Sequence, residues 1–137
     1  MDFLPLTRPA HTPVRVLTIG GSDSGGSAGI QADLRTFALL GVHSLVAVTA
    51  VTVQNSLGVR GFHEIPTEVV AGQIAAVVTD IGVQAAKTGL MASSAIIEAV
   101  AGTWRDVIVR AGLAGAVPFV VDPVCASRHG DPLLPPK

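Results

Sequence analysis

The stretch VLTIGGSDSGGSAGIQADLRTF, Val16 to Phe37, decides how the chain reads. Val16 to Ile19 is a short apolar run of the kind that forms a buried strand. It breaks into five glycines within ten positions, Gly20, Gly21, Gly25, Gly26 and Gly29. A helical pattern begins at about Ala28. The order is therefore strand, glycine-rich loop, helix. Glycines let backbone amides approach a ligand, and the following helix opens with unpaired N–H groups and a positive dipole end. Such a loop commonly holds something small, polar or anionic. It can also serve only to let a strand and helix pack tightly.

Neither common nucleotide loop fits. Gly21 and Gly26 have the Walker A spacing, but Ser27 and Ala28 stand where the lysine and hydroxyl residue would be. The dinucleotide fingerprint fails as well, because Ser24 occupies the place of its first glycine. On a helix from Ala28, Ile30, Leu34 and Phe37 share one face, and Asp33 sits at its edge. A carboxylate near a helix start is favoured by the dipole. Its lean toward the glycine loop equally suits a ligand contact.

Working outward, Met1 to Pro13 carries three prolines and no periodicity, and reads as a flexible leader without the pattern of a signal peptide. The first strand spans about Arg15 to Gly20 and the first helix about Ala28 to Leu40, with Gly41 as its stop. Leu45 to Val53, LVAVTAVTV, reads as one strand buried on both faces of a parallel sheet. It switches abruptly to Gln54, Asn55 and Ser56. Ligands in open α/β sheets bind outside the carboxyl ends of strands, so Gln54 is a candidate ligand. Its amide suits a nitrogen heterocycle bearing an amino group, or a local turn.

Val59 to Ile65 suggests a short strand, and a helix follows from Pro66 and Thr67, with Val70, Ile74, Val77, Val78 and Ile81 on its apolar face. Gly72 within it costs roughly 1 kcal/mol against alanine, which packing is expected to offset. Gln84 to Thr88 is a third parallel strand. Ser93 or Ser94 caps the next helix, whose inner stripe is Ile97, Val100, Ala101, Trp104, Ile108 and Ala111. Val117 to Val121 is a last strand, with Pro118 marking its start or a sheet edge. It runs into Asp122, which suits either a turn cap or a contact to Mg²⁺ and phosphate. This alternation predicts an α/β fold with a mostly parallel sheet and helices on both faces.

Three segments, GSDSGGSAGIQADLRTF, TAVTVQNSLGV (Thr49 to Val59) and DPVCASRHGDPLL (Asp122 to Leu134), resemble the bacterial hydroxymethylpyrimidine/phosphomethylpyrimidine kinases of thiamine biosynthesis, in the ribokinase-like superfamily. The match runs from Arg15 onward and covers about the first half of such a kinase. The resemblance implies a fold with its C-terminal half absent, residues 14–137 being the N-terminal part of the kinase domain. It implies ATP-dependent phosphorylation of 4-amino-5-hydroxymethyl-2-methylpyrimidine and of its monophosphate, with ATP and Mg²⁺ as cofactors. By the same resemblance Asp33 and Gln54 hydrogen-bond the ring's amino and nitrogen groups, Gly21 and Ala28 line the pocket, Thr52 and Leu90 lie beneath or beside the ring, and Asp122 is near the metal and the phosphate. The segment Lys87-Thr88-Gly89-Leu90-Met91 carries leucine where the family usually has methionine, a change that keeps volume. The anion hole and the hydroxyl-activating residue belong to the second half, so no catalytic residue is assigned within the chain and the chain alone is expected to be inactive. A non-catalytic pyrimidine-binding module and a pyridoxal kinase of the same superfamily are the competing readings.

Composition bounds the alternatives. The 137 residues are 49% hydrophobic with net charge −1, which fits one α/β domain and gives no basic patch for nucleic acid. No apolar run approaches the roughly 18 residues that span a membrane. The single cysteine, Cys125, allows no internal disulfide, makes a reducing cytoplasm the default, and reads as a buried structural thiol. His11, His43, His63 and His129 lack metal-ligand spacing. A sheet edge left uncovered predicts association into homo-oligomers.

Overall fold

A computed structural model describes residues 12–127, 130 and 132–134. The expected leader (but for its last two residues), His11 and His129 lie outside the described residues. The apolar run after Val14 forms β1 (Arg15–Gly20), and the glycine loop leads into α1 (Gly29–Leu39). There follow β2 (His43–Val48), β3 (Ala50–Asn55), β4 (Gly58–Glu64), α2 (Thr67–Asp80), β5 (Ala85–Thr88), α3 (Ser94–Arg110) and β6 (Phe119–Val121). Four strands form a parallel sheet in the order β2-β1-β5-β6.

Alternation along β1 assigns its two faces. Leu17 and Ile19 are fully buried and join Val70, Ile74, Ile96 and Val100 of α2 and α3 in the core. Thr18 points the other way, to Asp33 of α1. Helices thus cover both faces, as the alternation of elements predicts. Ala86 of β5 is in register with Leu17 and lies in the same core, whereas Lys87 is in register with Thr18 and reaches Asp33.

One expectation is corrected. LVAVTAVTV is not a single parallel strand: it breaks at Thr49, after which β3 pairs antiparallel with β4 in a separate two-stranded sheet. The break has a local cause. Thr49 is fully buried; its N–H donates to Gly20 O, its carbonyl accepts from Ile65 N–H, and its hydroxyl donates to Leu90 O at 2.5 Å. The chain turns because three different segments hold this one residue. In β3, Ala50 and Thr52 face inward while Val51 and Val53 are exposed, the alternation of a one-sided sheet.

Smaller corrections concern helix faces and ends. The buried stripe of α3 is Ile96, Val100, Val107 and Ile108; Ile97 is 41% exposed, and Ala111 lies beyond the helix on the surface. On α2, Val70, Ile74 and Val78 are buried, whereas Ile81 follows its end and is exposed. Ser93 occupies the N-cap position of α3, yet its hydroxyl caps nothing and is buried without a partner among the described residues. β6 starts at Phe119 rather than Val117, because Pro118 has no N–H to give the ladder; its carbonyl accepts from Ala86 N–H. Trp104 packs against Phe119 with ring centroids 4.7 Å apart, consistent with a packing role.

Gly72 does not earn its place by packing: a Cβ built there meets nothing within 4 Å. Gly72→Ala is therefore expected to raise unfolding stability by about 1 kcal/mol, the usual helix-interior difference. Urea denaturation checks this, and a destabilised variant would contradict it.

Candidate functional site

The carboxyl ends of β1, β5 and β6 open onto one edge of the sheet. From β1 the chain proceeds through α1 to β2 on one side, while β5 flanks β1 on the other. The gap between β1 and β5 is thus a topological switch point, where such sheets form ligand crevices. A cavity of about 330 Å³ lies there, within the usual range for small-molecule sites. Its walls come from the glycine loop, the first turns of α1, Gln54 near the end of β3, Lys87, Gly89 and Leu90, and the segment after β6.

Six of the seven residues singled out from the sequence line this cavity: Gly21, Ala28, Asp33, Gln54, Leu90 and Asp122. Thr52 does not. It is buried behind the loop, where its hydroxyl donates to Ser22 O at 2.8 Å, and so supports the wall rather than forming it.

Asp33 lies beyond the first turn of α1, so the helix dipole does not explain it. Its Oδ2 accepts from the Thr18 hydroxyl at 2.6 Å and from Lys87 Nζ at 3.1 Å, and its Oδ1 faces the same ammonium at 3.3 Å. A carboxylate can accept about four hydrogen bonds, so Asp33 keeps acceptor capacity toward the cavity while its orientation is fixed. Lys87 was not singled out as a site residue. The signal was present in the sequence, a lone lysine inside an otherwise uncharged short strand, where burial of its stem requires a partner for its charge.

Asp23 was also missed, and it organises the loop. It is 4% exposed, and its carboxylate accepts from Gly25 N–H at 2.7 Å and from Ser27 and Ala28 N–H at 2.8 Å each. Its own N–H donates to Gln31 Oε1 at 2.7 Å. Gln31 of α1 and Asp23 of the loop are thereby joined, and the carboxylate stands near the positive end of α1. Amides that could cradle an external anion are therefore spent on an internal one. Burial alone would raise the Asp23 pKa, but hydrogen bonds from Ala28, Gly25, Ser27 and Gly26 outweigh it and hold the group below its ordinary value of 3.8.

One glycine is dictated by contact and a second abuts the Leu90 side chain. Gly29 has φ +57°, and a Cβ there would collide with Gly21 O. At Gly21, a Cβ would lie 2.8 Å from Leu90 Cδ2, so any side chain there would push the end of Leu90 aside.

Asp122 is exposed, and its N–H donates to the Thr88 hydroxyl at 3.3 Å. No cluster of three or more potential metal-ligating side chains occurs among the described residues. Cys125 is exposed rather than buried, with Sγ 3.2 Å from Pro123 O. A second, larger and mostly apolar cavity of about 550 Å³ lies between α3 and β6, lined in part by Trp104, Ile108, Phe119 and Val121. No helix among the described residues is long and apolar enough to cross a membrane.

A lowered pKa means that Asp23 binds protons more weakly when folded than when unfolded. Its contribution to stability is present above the unfolded value near 3.8 and is lost as pH falls through the lower folded value. Asp23→Asn is therefore expected to unfold at lower denaturant than the parent at pH 6–7, with the gap closing below about pH 3–4. Urea midpoints against pH test this, and a gap that does not change with pH would contradict it.

Comparison with known proteins agrees with this architecture. The phosphomethylpyrimidine kinase family matches residues 23–137. The hydroxymethylpyrimidine/phosphomethylpyrimidine kinase of Mycobacterium bovis is 68% identical over 137 residues, all of this chain and 48% of the relative; that of Streptomyces coelicolor is 54% identical over 127 residues, 92% of this chain and 44% of the relative. The chain thus spans about half the length of the curated relatives it matches. Among solved structures, the phosphomethylpyrimidine kinase of Clostridium difficile superposes with a TM-score of 0.77 at 38% identity, covering 90% of this chain and 50% of that one. A Staphylococcus aureus pyridoxal kinase in complex with AMP-PCP and pyridoxal gives 0.69 at 33% identity, covering 83% and 40%. With most of its length matched by the family and its sheet shared with a solved member, the chain belongs to the phosphomethylpyrimidine kinase family.

Proposed function

We propose that the chain supplies the pyrimidine-binding part of an enzyme that phosphorylates 4-amino-5-hydroxymethyl-2-methylpyrimidine and its monophosphate with ATP, in the cytoplasm, toward thiamine. The observation that carries this reading is the convergence of Gly21, Ala28, Asp33, Gln54, Leu90 and Asp122 on one 330 Å³ cavity at the switch point. An aminopyrimidine presents an amino donor beside a ring-nitrogen acceptor. The Gln54 amide offers the complementary acceptor and donor in one plane, the pairing by which such amides read adenine. Asp33, fixed by Thr18 and Lys87, accepts a second hydrogen from the amino group. Gly21 and Leu90 form an apolar wall against the ring.

Phosphoryl transfer depends on positioning and on stabilising charge at the phosphoryl oxygens. The chain's own share is to hold the ring so that the hydroxymethyl oxygen faces the carboxyl ends of the strands, where Asp122 lies. Mg²⁺ is commonly held by one or two carboxylates together with phosphates and water, and a single exposed Asp122 fits that donor set. Bound there, the ion would neutralise charge on the phosphate oxygens. No residue of this chain is assigned the task of activating the hydroxyl.

The pyridoxal kinase likeness gives a second reading in which the same cavity takes pyridoxal, and a binding module without chemistry gives a third. Titration calorimetry of the 137-residue chain separates the first two. The pyrimidine is expected to bind more tightly than pyridoxal, with Gln54→Ala weakening it about tenfold, the effect of about 1.4 kcal/mol lost with a ligand hydrogen bond. Unchanged affinity in the variant, or a preference for pyridoxal, would overturn the assignment. The chain alone is expected to show no ATP-dependent turnover, and clear turnover would contradict that division of labour.

We further propose that the isolated chain self-associates. Val120 and Val121 of the edge strand β6 are 62% and 65% exposed beside the apolar cavity against α3, an arrangement that favours edge pairing. Light scattering is expected to show oligomers; a monodisperse monomer would refute this.

A further inference from the structure

Two serines of the loop, Ser22 and Ser24, make contacts that play no part in holding the pyrimidine directly. β3 pairs with β4 on one side only, and its other edge would leave backbone groups open. Residues of the glycine loop fill that edge at alternate positions. Ser22 N–H donates to Ala50 O at 2.9 Å, and its Oγ accepts from Thr52 N–H at 3.3 Å. Ser24 Oγ accepts from Gln54 N–H at 2.8 Å and donates to Gln54 O at 2.6 Å. One hydroxyl thus satisfies both backbone groups of Gln54, as a neighbouring strand would. The pairing of β3 with β4 also shifts register between Val53 and Gln54. Such irregularities bend a strand and re-aim a side chain, so an external fixing point at Gln54 matters for where its amide faces.

Ser24 is in turn held by its neighbour. Asp23 holds the loop amides of Gly25, Ser27 and Ala28, up to the residue before α1, at 2.7–2.8 Å, and a Cβ at Gly25 would approach Asp23 Oδ1 to 3.2 Å and the Asn55 backbone to 3.4 Å, so loop, carboxylate and hairpin end are closely packed. We propose that Ser24, anchored through Asp23, is a positioning residue that fixes Gln54 for recognition of the aminopyrimidine, the loop acting as a surrogate edge strand. This rests on the pyrimidine reading of the cavity. It makes the loop's work mechanical: the loop sets the direction of a specificity side chain instead of cradling a phosphate.

Ser24→Ala, Ser24→Thr and Gln54→Ala, with the double variant, decide the matter in the 137-residue chain. Without ligand, amide hydrogen exchange at Gln54 is expected to speed about tenfold in Ser24→Ala, to recover in Ser24→Thr, and to leave core amides such as Ile74 unchanged. With 4-amino-5-hydroxymethyl-2-methylpyrimidine as the probe, Ser24→Ala is expected to weaken binding about tenfold in the parent and to have little effect in the Gln54→Ala background. Unchanged exchange at Gln54, or an equal loss of affinity in both backgrounds, would overturn the proposal. If the parent chain fails to bind the pyrimidine at all, the reading of the cavity falls and with it the recognition role. Exchange at Gln54 would still show whether Ser24 braces the hairpin.

Discussion

The Asp23 carboxylate is the point from which the binding edge of this fold is built. It accepts three backbone N–H groups of the glycine loop and helix start from a nearly buried position. A buried charge is tolerated only when such bonds replace its hydration. Here they come from amides of the loop itself, Gly25 and Ser27, and of Ala28 just ahead of α1. The loop's path follows from that bargain, and with it the places of Gly21, Ala28 and Ser24. Removing the carboxylate oxygens would leave these amides unpaired and the loop without its anchor.

Around that anchor, each wall of the cavity is fixed by a contact to a different segment. Thr49 joins the end of β1 to Leu90 and to Ile65, the residue after β4. Lys87 joins β5 to α1 through Asp33, and Thr18 adds a second restraint from β1. Asp33 is therefore held in place before a ligand arrives, the condition under which a recognition site keeps its geometry. The larger apolar cavity beside α3 lacks such a frame. Its walls are mostly apolar, Trp104, Ile108, Phe119 and Val121 among them, side chains that bury area without specifying a ligand.

Much of this was legible in the sequence, and what was missed has physical reasons. Strand, loop and helix around the five glycines were readable because Val16 to Ile19 is uniformly apolar and glycines punctuate sharply. Gln54 and Asp122 were readable as polar residues ending apolar runs. The break at Thr49 was not, because threonine and its neighbours all suit strands and the turn is imposed by distant partners. Asp23 hid among small polar residues, where an internal cap and a solvated loop acid look alike. The α3 face was misjudged by one position at Ile96 and Ile97, since both are isoleucine and only packing against α2 distinguishes them.

The central claim is that the polar crevice between β1 and β5, and not the larger apolar cavity, receives the pyrimidine. Two-dimensional ¹H–¹⁵N NMR of the labelled chain during titration with 4-amino-5-hydroxymethyl-2-methylpyrimidine tests it directly. The account predicts that amide signals of Gly21, Ala28, Asp33, Gln54 and Leu90 move together while those of Val100 and Ile108 stay in place. Movement confined to α3 and β6, with the glycine loop unaffected, would contradict it.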